Sequence, residues 1–269
     1  MLTIESPPDA AGDATLLPSA GDAGFFCPVT PYYQPIVRAG DLSVIGYEAL
    51  SRGPTDTPLH GARTLFATAR TLGEEAALER VCWTAALLNA TRHRLWMRDA
   101  VRLFLNVSPE RIVEPAFLAF VRRLVDEAAL DPARVVIELT EDSLVRPHGH
   151  FREALAPYRE LGFSVAVDDV GTGCSDLHTL AELRPEFVKL ARELVSDVHR
   201  HAGRRMVVQS MVALAAALGA TLVAEGVELY AELAVLREMG VDCVQGYLLG
   251  RPSTTPFAAA SEDALARTA

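Results

Sequence analysis

From Pro31 onward, short apolar runs alternate along the chain with longer stretches whose apolar residues recur every three to four positions. The short runs read as strands: Tyr32–Val37, Ser43–Ala49, Leu103–Val107, Val135–Leu139, Ser164–Val167, Phe187–Leu190, Thr221–Ala224 and Cys243–Tyr247. The longer stretches predict amphipathic helices over Ala62–Leu72, Glu74–Arg94, Glu114–Ala129, His150–Leu161, Arg204–Leu218 and Tyr230–Met239. Gly73, Gly162 and Gly219 follow three of these stretches, where a left-handed residue closes a helix.

Near-continuous apolar strands separated by helices indicate a largely parallel sheet covered on both faces. Eight of them over about 230 residues suit a closed (β/α)8 TIM-like barrel better than an open sheet. The first two runs are joined by only five residues around Ala39-Gly40-Asp41. A parallel crossover needs a dozen or more, so the barrel is expected to begin with an irregular, antiparallel strand. Residues 1–27, rich in Ala, Gly, Asp, Ser and Pro, read as a flexible leader. Residues 28–269, with no internal repeat and no long linker, read as one barrel domain.

Composition narrows the function classes. The chain has 269 residues, is 50% hydrophobic and carries a net charge of −10. That acidity argues against a nucleic-acid polymer as partner, because such contacts rest on Lys and Arg neutralising phosphates. No run of 18 apolar residues occurs, so no membrane span is expected, and the N-terminus lacks a secretory signal pattern. Cys27, Cys82, Cys174 and Cys243 lie far apart, which fits reduced, buried thiols in a cytoplasm. Of the 25 basic residues only Lys189 is a lysine. A compact ammonium survives at one position in a chain that otherwise uses arginine.

The polar residues collect at the strand ends. Glu48, Asn106, Glu138, the Asp168-Asp169 pair, Lys189, Glu225 and Gln245 each close an apolar run. In (β/α) barrels that carboxyl-terminal rim is where active sites form. Glu48, Asn106, Glu138, Asp168, Asp169 and Glu225 offer oxygen donors only, a set suited to hard divalent cations. Five carboxylates on one rim repel unless cations neutralise them; two adjacent ions with Asp168 between them would do so and would serve phosphoryl hydrolysis. Lys189 would then hold the attacking water or stabilise charge on the phosphorus oxygens. Gly171-Thr172-Gly173 reads as a backbone turn just beyond the aspartates. His148, His150, His199 and His201 read as surface residues.

These blocks together resemble the EAL domain family, the barrel phosphodiesterases of bacterial cyclic di-GMP signalling. Tyr33-Gln34-Pro35-Ile36-Val37 is similar to the family's opening motif and Glu48-Ala49-Leu50-Ser51-Arg52 to its signature. Asn106-Val107-Ser108-Pro109, Glu138-Leu139-Thr140-Glu141 and Asp168-Asp169-Val170-Gly171-Thr172-Gly173 match the next three blocks. Ala224-Glu225-Gly226-Val227-Glu228 and Gln245-Gly246-Tyr247 complete the order. The resemblance covers roughly residues 28–255. It implies Mg²⁺ or Mn²⁺ in a two-metal site. Glu48, Asn106, Glu138 and Asp168 would hold one ion, with Asp168, Asp169 and Glu225 around the other. Lys189 and Glu225 would act on the attacking water, and Glu141 would brace the loop at Gly171–Gly173, which in the family lies near a homodimer contact. Gln34, Arg52, Gln245 and Glu228 would position the nucleotide. The implied reaction opens cyclic di-GMP to linear pGpG.

Where the family usually reads Lys-Ile-Asp, this chain has Lys189-Leu190-Ala191. The resemblance therefore implies reduced or altered hydrolysis, with a catalytically silent cyclic di-GMP receptor or protein-interaction module as the alternative.

Overall fold

The computed structural model describes residues 27–95, 101–140, 151–172 and 177–256. Eight strands close a barrel in sequence order: β1 Thr30–Arg38, β2 Val44–Arg52, β3 Arg102–Asn106, β4 Val135–Thr140, β5 Ser164–Val170, β6 Phe187–Leu190, β7 Thr221–Ala224 and β8 Cys243–Gln245. The strands β2 to β8 run parallel, whereas β1 is antiparallel to both neighbours, β2 and β8. The short link around Gly40 forces that reversal, as the loop length predicts.

Helices α1 Ala62–Leu72, α2 Glu75–Arg92, α3 Pro109–Ile112, α4 Pro115–Glu127, α5 Phe151–Glu160, α6 Leu177–Leu183, α7 Arg192–Val195, α8 Ala202–Leu218 and α9 Tyr230–Glu238 cover the outside. The long helices stand where the apolar periodicity puts them. The short α3, α6 and α7 escape it because fewer than two full turns show no period. Gly73 and Gly219 close α1 and α8 with φ of 71° and 72°.

The barrel interior holds one apolar residue from each strand: Ile36, Ile45, Phe104, Val136, Ala166, Phe187, Val223 and Cys243. Phe104 and Phe187 pack edge to face, 5.1 Å between centroids. Two residues further along their strands, and so on the same inward face, come Asn106, Glu138, Asp168, Lys189, Glu225 and Gln245. On the reversed β1, Gln34 lies two residues before Ile36 and is paired with Glu48 of β2. A dry layer thus floors the barrel and a polar layer sits directly above it.

Cys27, Cys82 and Cys243 are free and buried, as expected for isolated thiols, and burial pushes Cys82 and Cys243 up to about 12. No helix of the described residues is long and apolar enough to cross a membrane. Glu141, His148, His150, Gly173, Cys174, residues 1–26 and residues 257–269 lie outside the described residues.

Candidate active site

Lys189 is the centre of the polar layer. Its Nζ lies 2.6 Å from Glu225 Oε1, 2.7 Å from Glu138 Oε1, 3.1 Å from Asp168 Oδ1 and 3.3 Å from Glu48 Oε2. The side chain is completely buried. Burial alone would favour the neutral amine, but Asp168, Glu138, Glu225 and Glu48 outweigh it and hold its pKa well above the usual lysine value. Burial pushes the Glu138 and Glu225 carboxyls well up, against the pull of Lys189. Glu48 is also buried, yet Lys189 and hydrogen bonds from Gln245 and Asn106 bring it below the usual range.

The remaining partners fix the carboxylates in place. Gln245 Nε2 donates to Glu48 Oε2 at 2.7 Å and to Gln34 Oε1 at 3.2 Å, while Gln34 Nε2 donates to Gly250 O. Asn106 Nδ2 donates to Glu48 Oε1 at 3.2 Å and Glu138 Oε2 at 3.3 Å. Trp83 Nε1 on α2 donates to the Asn106 carbonyl at 3.0 Å, which ties that strand end to the helix. Asp169 stands at the exposed edge of the cluster, where partial desolvation and the Asp168 charge push its carboxyl up to about 6. Gly171, two residues on, has φ of 104°, a conformation that side-chain-bearing residues rarely adopt, so the turn past the aspartates favours glycine.

One ammonium facing four carboxylates leaves negative charge uncompensated. Glu138 Oε1, Asp168 Oδ1 and Glu225 Oε1 are buried and all share the Lys189 ammonium as their partner. Two overlapping groups bring carboxylate oxygens within 4.8 Å of one another: Glu48 with Glu138 and Asp168, and Asp168 with Asp169 and Glu225. Oxygen-only donors in two sets sharing Asp168, with one ammonium among them, fit a pair of hard divalent cations.

A cavity of about 1000 Å³ opens beside the cluster, between the rim and helices α1 and α2. Arg52, Arg63, Phe66, Glu79, Asn106 and Asp168 are among its lining residues. Arg52 Nη1 donates to the Ser51 carbonyl, and its guanidinium lies 5.8 Å from the Tyr32 ring centroid. Of the residues singled out from the sequence, Glu48, Asn106, Glu138, Asp168, Asp169, Lys189, Glu225, Gln245 and Gln34 come together. Arg52 lies on the cavity wall. Glu228 is set apart, exposed and paired with Arg192 at 2.8 Å.

Sequence reasoning misses Glu79. It lies inside α2, buried, with a carboxylate that faces the cavity and accepts one long bond from Ser108 N at 3.4 Å. Desolvation pushes it up to about 7. The only signal along the chain is a charged residue between Leu78 and Cys82 on the apolar side of a helix, a pattern too common to single out.

The EAL domain family model matches residues 27–252. The cyclic di-GMP phosphodiesterase RocR of Pseudomonas aeruginosa is 32% identical over 223 residues, 82% of this chain and 56% of that protein. The Klebsiella pneumoniae protein BlrP1, solved with manganese and cyclic di-GMP, is 30% identical with a TM-score of 0.77, covering 86% of this chain and 57% of that one. A standalone EAL protein of Vibrio cholerae bound to cyclic di-GMP is 26% identical with a TM-score of 0.77, covering 88% of this chain and 98% of that one. The chain spans between 27% and 56% of the length of the first four curated relatives it matches. Barrel, rim and family match agree: the chain belongs to the EAL domain family.

Proposed function

We propose that this chain is a metal-dependent phosphodiesterase that opens cyclic di-GMP at one phosphodiester to give linear pGpG. The observation that carries the reading is the convergence of four carboxylates on Lys189 Nζ at the mouth of a cavity lined by Arg52 and Glu79. Glu48, Asn106, Glu138 and Asp168 would hold one Mg²⁺ or Mn²⁺, and Asp168, Asp169 and Glu225 the other. Such ions, when bound, neutralise phosphate charge and ease the ionisation of water. Rotation of the Asn106 amide would present Oδ1 to an ion in place of Nδ2.

The chain's own groups do the rest. Lys189 would orient the attacking water by donating to its oxygen, while Glu225, 2.6 Å from the ammonium, would take the water's proton. As the new P–O bond forms, the opposite P–O ester bond breaks, and a proton goes to the departing sugar oxygen. Arg52 would pair with a phosphate, and Gln34 and Gln245 would keep Glu48 in register. Glu228 would act from the rim on the nucleotide, and Glu141 would brace the Gly171–Gly173 loop. Glu79 would accept from the N1–H and exocyclic amino group of one guanine, with Phe66 on the same cavity wall.

A homodimer belongs to the same reading. The stretch Met206–Leu218 of α8 carries no charged residue, and Met206 and Val207 are exposed at 72% and 44%. An uncharged outer face on a barrel helix suits contact with a second copy.

One observation favours the silent receptor. Ala191 caps α7 with no side-chain hydrogen bond and is completely buried where the family pattern carries an aspartate. Incubating the purified chain with cyclic di-GMP and Mg²⁺ or Mn²⁺ decides between them. Accumulation of pGpG supports the phosphodiesterase; binding without pGpG selects the receptor.

A further inference from the structure

Asp197, His199 and Glu232 lie outside the barrel mouth, where the segment after α7 meets the start of α9, and their ligand atoms stand within 4.8 Å of one another. We propose that these three side chains form a separate site for a borderline divalent cation of the Zn²⁺ type.

Glu232 is the fixed member. It is 3% exposed, and three backbone amides hold its carboxylate: Asp197 N–H donates to Oε1 at 2.7 Å, and Glu228 and Leu229 N–H both donate to Oε2 at 3.0 Å. Oε1 accepts a single bond and keeps a lone pair for a further partner. His199 contributes a second signal, because its Nδ1 is buried with no hydrogen-bond partner. Among the described residues, no lysine or arginine side chain pairs with Asp197 or Glu232. Arg204 and Arg205, which follow on the next helix, spend donors on carbonyls: Arg204 on Ser196 O, and Arg205 on His199 O at 2.7 Å and Val198 O at 3.3 Å. These bonds, with Arg200 and His201 N–H donating to the Asp197 carbonyl, fix the turn that carries both Asp197 and His199.

The donor chemistry separates this site from the central one. The barrel cluster offers oxygen alone, which suits Mg²⁺ or Mn²⁺, whereas one imidazole with two carboxylates is a Zn²⁺-type set. Tetrahedral Zn²⁺ ligands lie about 3.3 Å apart. The half-buried Asp197 and His199 side chains close the remaining gap by rotation, while Glu232 stays anchored. An ion there would cross-link the segment leaving β6, which carries Lys189, to the one leaving β7, which carries Glu225 and Glu228.

The test uses Zn²⁺ itself and the full chain, stripped of divalent ions and then supplied with excess Mg²⁺ to occupy the central carboxylates. Zn²⁺ uptake is read by competition with a chromogenic chelator for the wild type, His199→Ala and Asp197→Asn. Asparagine tolerates the positive φ of 54° at position 197, so that variant keeps the turn. The expected result is Zn²⁺ binding weakened at least tenfold in both variants, and a zinc-edge absorption spectrum showing imidazole together with oxygen ligands in the wild type. Zn²⁺ should also raise the melting temperature of the wild type but not of the variants. Equal uptake by all three proteins, or a zinc shell without imidazole, overturns the site. Should His199→Ala fail to fold, Asp197→Asn and the spectrum decide.

Discussion

Lys189 Nζ and Glu225 Oε1 stand 2.6 Å apart on neighbouring strand ends, the shortest of four carboxylate contacts to a single buried ammonium. In the register of β6 and β7, Leu190 pairs with Ala224, so Glu225 is the first residue past the ladder and reaches back over the lysine. This relationship makes the lysine a fitted part rather than a surface cation.

Lys189→Arg keeps the charge but replaces a compact ammonium with a wide planar fork. The space is closed on all sides, so the guanidinium must displace Glu225 or Glu138. Turnover of cyclic di-GMP is expected to fall at least about tenfold, or ~1.4 kcal/mol of transition-state stabilisation. Turnover within twofold of wild type, in a variant that melts normally, would remove Lys189 from the reaction.

Metal removal should act on the same cluster. Excess chelator is expected to abolish turnover, Mg²⁺ or Mn²⁺ to restore it, and Ca²⁺ to inhibit, because Ca²⁺ prefers larger and looser coordination. Glu48→Ala should lower Mn²⁺ affinity and turnover together. Calorimetric titration beside the activity assay checks both, and turnover that persists in chelator contradicts the two-metal reading.

Base selectivity tests Glu79. Cyclic di-inosine monophosphate lacks the exocyclic amino group that a carboxylate would accept from. Wild type is expected to bind cyclic di-GMP at least about fivefold tighter than the inosine analogue, the scale of one well-placed polar contact, and Glu79→Ala to lose that preference. An unchanged ratio in the variant would place Glu79 away from the base.

Glu79 also predicts a pH dependence of stability. In the free chain it titrates near 4.5, and in the folded protein burial pushes it up to about 7. Between those values the native state holds a proton that the unfolded state lacks, so stability falls as pH rises through this window and is level above it. The loss is on the order of 3 kcal/mol. Glu79→Gln, neutral throughout, should gain stability over wild type at pH 8 and not at pH 4.5, as read from urea midpoints. Parallel pH profiles for the two proteins would contradict the buried carboxyl.

The homodimer is checked by sedimentation. A dimer at tens of micromolar, with specific activity rising with protein concentration, is expected, and Met206→Glu on the exposed face of α8 should shift it to monomer. A fully active monomeric wild type would count against the contact.

Much of the polar rim is legible along the chain because strand geometry is periodic. Alternation places Asn106 above Phe104, Glu138 above Val136, Asp168 above Ala166 and Lys189 above Phe187, so a strand ending in a polar residue announces a rim position without any tertiary information. The reversed β1 is equally readable, since five residues cannot cross over to a parallel neighbour. Turn chemistry likewise marks Gly73 and Gly219 as helix stops.

Other features belong to the tertiary structure alone. Glu79 is one charge on a helix whose rotation about its axis, fixed by Tyr33 OH donating to Ala86 O and Trp83 bonding the Asn106 carbonyl, decides whether it meets solvent or a cavity. Glu228 stands among the motif residues in sequence, yet its position past the turn at Gly226 gives it to Arg192. Asp197 and His199 are separated from Glu232 by a helix and a strand, and no local period relates them. Sequence by itself determines what repeats along the backbone, because covalent geometry imposes the period. Which side chains meet across elements depends on the register of the closed barrel and on the rotation of each helix against it, and only packing decides those.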